Sequence, residues 1–202
     1  MGIEKKIKAI GFDWNGVISH ARATDFQNSA SKLLNTSPKE FWDSYYKFNR
    51  LVNTGVLTFN KFWSIVAEDL GRGDKFPALL ELASNRPVKS VDQGVAETIK
   101  SLKRKSLKLG LLTNATKETG KIIRNTDVSK MFHTILISSD IGMIKPDPYA
   151  YRMFAEKLGV EGHELLFIDD TKRNLTSDIG ITFVEYTTLE DLLNKLKEYN
   201  VL

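Results

Sequence analysis

Cysteine is absent from this 202-residue chain, which excludes disulfide bonds, thiolate catalysis and cysteine metal sites. No apolar run approaches the roughly 20 residues needed to cross a membrane, and no apolar signal-peptide segment follows residues 1–8. The histidines are His20, His133 and His163, and this scatter does not favour a histidine metal cluster. We therefore expect a cytoplasmic protein without membrane partners.

The composition is that of an ordered globular protein, with 42% hydrophobic and 27% charged residues. The length allows one well-buried core with a small insert. The net charge of +4 is spread along the chain, and its densest basic run, Lys100–Lys108, fits the exposed end of an amphipathic helix. Nucleic-acid binding is therefore not predicted, and no feature predicts an oligomeric state.

Short apolar runs alternate with helical patterns in the first and last parts of the chain. The predicted strands are Ile7–Phe12, Lys108–Leu112, Thr134–Ile137, Leu165–Ile168 and Thr182–Tyr186. The predicted helices are Val95–Arg104, Lys117–Asn125, Pro148 to about Gly159, Asn174–Gly180 and a last one from Leu189. Near-continuous apolar strands alternating with helices are typical of a parallel sheet covered on both faces. The sequence predicts a Rossmann-like α/β domain.

Between the first strand and the rest, residues 21–91 carry helix signals and hardly any strand signals. Ser37–Glu40 has the pattern of a capping box with proline at the first helical position. Thr58 is a second predicted cap, for a helix over Phe59–Leu70, and a shorter helix is predicted over Asp74–Ser84. An aromatic stripe at helical spacing predicts a small bundle core; its members are Phe41, Trp42, Tyr45 and Phe48. We expect a core domain of residues 1–20 and 92–202, interrupted by a helical domain of residues 21–91.

Polar clusters follow three of the predicted strands. Asp13 begins the stretch Asp13–Val17, Thr113 and Asn114 follow the second strand, and the pair Asp169–Asp170 follows a later one. Because the carboxyl ends of parallel strands share one edge of the sheet, these groups are expected to form one site. Any of them alone has an ordinary alternative, such as capping a helix.

The residue types at this edge suit phosphoryl transfer. The Asp13 carboxylate can attack phosphorus to form an acyl phosphate, and Thr113 or Asn114 can donate hydrogen bonds to phosphoryl oxygens. Lys145, followed by a proline, can neutralise charge on the nucleophile and on the transferring group. The oxygens of Asp169 and Asp170 are hard ligands of the type that Mg²⁺ prefers. Such a cation would offset the repulsion between an anionic nucleophile and an anionic substrate.

In order and placement these motifs resemble the four motifs of the haloacid dehalogenase superfamily, whose members are mostly phosphatases. The matching stretches are Asp13–Val17, Leu112–Asn114, Lys145-Pro146 and Ile168–Asp170 with Asn174. The helical insert resembles the C1 cap of that family, and Thr54–Thr58 with Phe62-Trp63 resembles cap sequence of its phosphatase branch. The resemblance implies a Mg²⁺-dependent phosphatase that acts on a small phosphorylated metabolite through a phosphoaspartate.

The resemblance also implies a role for each matched residue. Asp13, Asn15, Thr113 and Lys145 take the catalytic positions, and Thr113, Asn114 and Lys145 take the substrate-binding positions. The metal positions fall on the carboxylate of Asp13, the backbone carbonyl of Asn15 and the carboxylate of Asp170. Asp169 either supports Asp170 or binds the metal as well, and Asn174 stands at the second acidic position of the family.

Asn15 is the one departure, because the family has an aspartate there that acts as general acid and base. Asparagine cannot exchange a proton, and general acid–base catalysis is worth about 10²–10⁴-fold. Three interpretations remain: a phosphatase helped by a good leaving group or by His20, a catalytically silent phosphometabolite-binding protein, and a 2-haloacid dehalogenase. The pair Asp169–Asp170 argues against the dehalogenase, whose branch lacks a magnesium site.

Overall fold

A parallel sheet lies at the centre of the computed structural model, which describes residues 6–20, 23–85 and 90–202. The strands are β1 (Ala9–Phe12), β2 (Lys108–Thr113), β3 (Thr134–Ile137), β4 (Leu165–Asp169) and β5 (Thr182–Glu185). Their order in the sheet is β3-β2-β1-β4-β5, and each neighbouring pair is parallel. The predicted α/β fold is therefore confirmed, although β1 begins at Ala9 rather than Ile7.

The described part of residues 21–91 is helical, and we call it the helical insert. Its helices are α1 (Ala23–Leu34), α2 (Pro38–Asn53), α3 (Phe59–Asp69) and α4 (Phe76–Ser84). The side chains of Ser37 and Thr58 accept the capping hydrogen bonds that the sequence predicts for α2 and α3. The aromatic stripe packs into the core of the insert with Phe62 and Trp63. The predicted start of the insert at Ala21 lies outside the described residues.

The remaining helices cover the two faces of the sheet. They are α5 (Gln93–Arg104), α6 (Lys117–Arg124), α7 (Ser138–Ile141), α8 (Pro148–Leu158) and α9 (Leu189–Glu198). On one face Phe154 of α8 packs edge-on against Phe167 of β4. On the other, Ile99 of α5 and Leu192 of α9 share an apolar cluster with Ile10 of β1. Within the three described ranges, no helix is long and apolar enough to pass through a lipid bilayer.

The predicted helix over Asn174–Gly180 is wrong. The structure has a single 3₁₀ turn at Lys172–Asn174, and the chain then runs without helix or strand as far as β5. The backbone carbonyl of Asn174 accepts a hydrogen bond from the Tyr151 hydroxyl, and the Ser177 hydroxyl accepts one from Ile179 N at 3.1 Å. These bonds occupy backbone groups that a helix would use, as side-chain bonds to the backbone can do.

Two glycines let α8 pack closely on the sheet. Gly11 of β1 and Gly110 of β2 are register partners, and the ring of Phe154 lies against both. A Cβ at Gly11 would lie 2.5 Å from Phe154 Cε1 and would also overlap the ring of Phe167. Both rings are fully buried, so neither can move aside cheaply.

We expect Gly11→Ala to lower the free energy of unfolding by about 1–3 kcal/mol, the usual cost of overpacking, although alanine is otherwise the better strand residue. Urea unfolding curves measure the effect. Gly73→Ala is the matched control, because its Cβ would come no nearer than 3.6 Å to Glu68 Cγ. Equal urea midpoints for Gly11→Ala and the wild type would contradict this account of the sheet packing.

Candidate active site

Polar side chains from three neighbouring strands meet at the carboxyl edge of the sheet. Asp13 directly follows β1, Thr113 ends β2 and Asp169 ends β4. β1 lies between β2 and β4, and the backbone N–H of Asp13 donates to the carbonyl of Ile168 at 2.9 Å. The sheet order thus brings together residues that are about 100 and 55 positions apart in the chain.

Lys145 lies at the centre of this group. Its ammonium is 3.0 Å from Asp13 Oδ1 and 2.5 Å from Asp169 Oδ2, and it lies over the ring of Phe167 at 5.2 Å. Its side chain is fully buried. The Asn114 amide donates to the carbonyl of Lys145 at 3.0 Å and accepts from its N–H at 2.8 Å. Asn114 therefore fixes the backbone from which Lys145 reaches the two carboxylates.

The carboxylate of Asp169 accepts several hydrogen bonds from the protein. Besides Lys145, Thr171 N donates to its Oδ1 at 2.8 Å, and the Asn174 amide donates to its two oxygens at 3.0 and 3.1 Å. The neighbouring Asp170 is exposed and accepts from the Thr171 hydroxyl at 3.1 Å. Asp169 is thus anchored by donors, whereas Asp170 retains more oxygen surface for another partner.

The acidic group has the chemistry of a divalent-cation site. Oxygens of Asp13, Asp169 and Asp170 all lie within 4.8 Å of one another, and carboxylate oxygens are what a hard cation prefers. Gly16 has φ +82°, and a Cβ there would overlap the carboxylate of Asp170. In the described part of the chain, the buried Thr113 Oγ1 has no hydrogen bond of normal geometry. A cation would use the carboxylate oxygens of this group, and an oxyanion would use the Thr113 hydroxyl.

Burial sets the electrostatics of the site. It raises the pKa of the Asp13 carboxyl. The charge of Lys145 opposes this shift, that of Asp169 adds to it, and the nearby Thr113 hydroxyl opposes it. Burial also raises the pKa of Asp170, against the hydrogen bond from Thr171. Three carboxylates face one ammonium, so additional positive charge would favour their ionised forms.

Asn15 lies half-buried in the compact turn after Asp13. The turn is closed by the N–H groups of Ile18 and Ser19, which donate to the carbonyl of Trp14 at 3.0 and 2.9 Å, and by Gly16 N, which donates to Ser19 O at 2.9 Å. These bonds fix the backbone on both sides of Asn15.

His20, the candidate replacement acid, makes its described contacts elsewhere. Its Nε2 is 3.4 Å from Asp92 Oδ2, and its ring stacks on Tyr186 at 5.8 Å between centroids. The structure therefore does not join His20 to the cluster around Asp13.

The helical insert touches the core next to this edge. The Ser138 hydroxyl donates to the carbonyl of Asn53 at 2.6 Å and accepts from Ala115 N at 2.9 Å. Gly55 has φ +73° and approaches so closely that a Cβ added there would lie 2.5 Å from Ser139 O. The turn after α2 thus closes onto the ends of β2 and β3. Sequence reasoning did not identify Ser138, whose only signal is its position directly after a strand.

The fold is thus a parallel α/β sheet with a helical insert after β1, and its carboxyl edge carries a buried lysine beside an acidic cluster. The sequence matches the family of haloacid dehalogenase-like hydrolases over residues 7–177. The chain belongs to that family.

Curated relatives include phosphatases. The chain is 28% identical over 97 residues to phosphoglycolate phosphatase of Escherichia coli K12, a match that covers 44% of this chain and 38% of that enzyme. It is 26% identical over 171 residues to phosphatase MT3486 of Mycobacterium tuberculosis, covering 81% of this chain and 79% of that protein. The match thus spans well under half the length of the Escherichia coli enzyme.

Solved structures share the fold over nearly the whole chain. The HAD family enzyme bt-2542 of Bacteroides thetaiotaomicron, in complex with magnesium and inorganic phosphate, has a TM-score of 0.70 and 19% identity, covering 90% of this chain and 94% of its own. The L-2-haloacid dehalogenase RSc1362 has a TM-score of 0.64 and 16% identity, covering 95% of this chain and 99% of its own. Similarity at this level of identity establishes the fold alone.

We expect Asp13→Asn to raise the melting temperature of the protein in a metal chelator. The folded-state pKa of Asp13 lies above the ordinary 3.8. Asp13 therefore stabilises the folded wild type fully below about pH 4. This contribution to stability is lost as the pH rises through the raised pKa. The advantage of the variant should grow as the pH rises above about 4, measured by thermal unfolding.

Asp127→Asn is the matched control, because Lys130 lowers the pKa of this exposed aspartate and the substitution should give no gain at neutral pH. A metal-free Asp13→Asn protein that melts below the wild type at neutral pH would show that the Lys145 contact outweighs burial.

Proposed function

We propose that this chain is a Mg²⁺-dependent phosphohydrolase that acts on a small phosphorylated metabolite. The observation that carries the proposal is the buried Lys145 ammonium between Asp13 and Asp169, with Asp170 beside them. A carboxylate nucleophile next to a fixed cation suits attack on an anionic phosphoryl group. Both of these curated relatives are phosphatases, which supports the same class of substrate.

In the first step an Asp13 oxygen forms a bond to phosphorus while the bond from phosphorus to the leaving oxygen breaks. Lys145 neutralises charge on Asp13 and on the transferring group, and the buried Thr113 hydroxyl can donate to a phosphoryl oxygen. In the second step water attacks the phosphorus of the acyl phosphate, which releases inorganic phosphate and restores the Asp13 carboxylate.

Mg²⁺ would be held by the carboxylates of Asp13 and Asp170 and by the backbone carbonyl of Asn15. When bound, it supplies the positive charge that offsets repulsion between the nucleophile and the phosphoryl group. Asp169 supports the site through its contact with Lys145, which leaves Asp170 as the more accessible ligand. The magnesium in the bt-2542 complex supports this choice of cation.

Asn15 limits the range of substrates. The leaving oxygen must take up a proton or depart as an anion, and an asparagine amide has no proton to give at neutral pH. An acyl phosphate, whose leaving group is a carboxylate, depends least on an acid. The same residue favours the second candidate, a phosphometabolite-binding protein without turnover.

We expect Asp13→Asn to lower Mg²⁺-dependent phosphate release from acetyl phosphate by more than about 10³-fold, because the variant lacks the nucleophile. A phosphate assay measures the rate, and Asp127→Asn, on the exposed surface, should match the wild type. Retention of activity in Asp13→Asn would sink the proposal. Chloride release from a 2-haloacid in the presence of a chelator would favour the dehalogenase instead.

We expect Asn15→Asp to speed hydrolysis of phosphoglycolate, an alkyl phosphate, by about 10²–10⁴-fold, because it restores a group that can donate a proton. The gain with acetyl phosphate should be less than about tenfold, since that leaving group needs little protonation. Steady-state rates on the two substrates give the comparison. Equal gains on both would argue against a proton-donating role for position 15. Activity confined to Asn15→Asp would identify the natural chain as the silent binding protein.

A further inference from the structure

Tyr151 of α8 is a fully buried tyrosine in an apolar environment. Its ring packs edge-on against Phe167 at 5.5 Å and against Phe183 at 5.6 Å between centroids. A phenylalanine would fill the same space, and a buried hydroxyl is costly unless it is hydrogen-bonded. The hydroxyl of Tyr151 therefore requires an explanation beyond packing.

That hydroxyl donates to the backbone carbonyl of Asn174. Asn174 ends the short 3₁₀ turn after β4, where its own N–H donates to Thr171 O at 2.8 Å. Its side-chain amide donates to both oxygens of Asp169. Tyr151 is thus connected to the acidic cluster through one residue of an irregular loop.

We propose that Tyr151 is a positioning residue, whose hydroxyl fixes Asn174 so that the Asn174 amide holds Asp169 in place to aim Lys145 at Asp13. Its meaning for catalysis rests on the proposed function, whereas the positioning of the loop does not. Each step from Asn174 to the nucleophile is a direct contact. Asn174 contacts Asp169, Asp169 lies 2.5 Å from the ammonium of Lys145, and that ammonium lies 3.0 Å from Asp13.

The loop needs such an anchor because regular structure does not hold it. After the turn at 172–174 the chain forms neither helix nor strand until β5. Burial, together with the charges of Asp169 and Asp13, raises the pKa of Tyr151. The hydroxyl therefore stays protonated at neutral pH and can donate to the Asn174 carbonyl.

Tyr151→Phe removes the hydroxyl and keeps the ring. We expect kcat for acetyl phosphate to fall by roughly tenfold with KM nearly unchanged, since groups that orient the partners of a site typically contribute 10–100-fold. Asn174→Ala should slow the enzyme as well, and adding Tyr151→Phe to it should cost nothing further, because both act through one contact. Tyr149→Phe is the matched control, an exposed tyrosine on the same helix.

Hydrogen exchange in the metal-free full-length protein provides a readout that is independent of activity. The N–H of Thr171 donates to Asp169 and that of Asn174 closes the turn. Both amides should exchange roughly tenfold faster in Tyr151→Phe and at the wild-type rate in Tyr149→Phe. If the wild type releases no phosphate from acetyl phosphate, the proposed function fails and the exchange rates alone decide the positioning role. Unchanged exchange in Tyr151→Phe, or additive losses in the double variant, would overturn the proposal.

Discussion

The ammonium of Lys145, buried between the carboxylates of Asp13 and Asp169, is the constraint on which the site depends. Removing such charges from water is costly, and their attraction compensates only when the geometry is good and further donors are in place. Here those donors come from separate parts of the chain: Asn114 fixes the backbone of Lys145, while Asn174 holds Asp169. The cluster can therefore form only when sheet and loops are assembled together.

The close packing of α8 on the sheet is part of this assembly. Gly11 and Gly110 leave space for Phe154, which brings α8 down onto β1, β2 and β4. Tyr151, on the same helix, can then pack on Phe167 and reach the loop after β4. The glycines in the strands and the Tyr151 hydroxyl in the helix thus act together. The packing on the apolar face of the sheet supports the positions of the polar residues at its edge.

The strands were predictable because each is a continuous apolar run ending in polar residues, and the parallel order follows from alternation with helices. Local pattern could not place the residues after β4. Asn174–Gly180 contains polar and apolar residues at helical spacing, but Tyr151 takes the carbonyl that a helix would use. The spacing of residues in the sequence also could not decide whether Asp169 or Asp170 contacts Lys145. That lysine lies on a loop whose path depends on Asn114 and on the sheet order.

The surroundings of Asp13 make the identity of residue 15 important for the proposed chemistry. The insert contacts the core beside the ends of β2 and β3, where Gly55 lies against Ser139 and the Ser138 hydroxyl is bonded to Asn53. The burial of Asp13 and Lys145 strengthens the electrostatic effect of the lysine and limits access of solvent protons. For the proposed reaction, an acid at position 15 would be most valuable under these conditions, and asparagine cannot act as one. A buried nucleophile without that acid favours substrates whose leaving group departs as a stable anion.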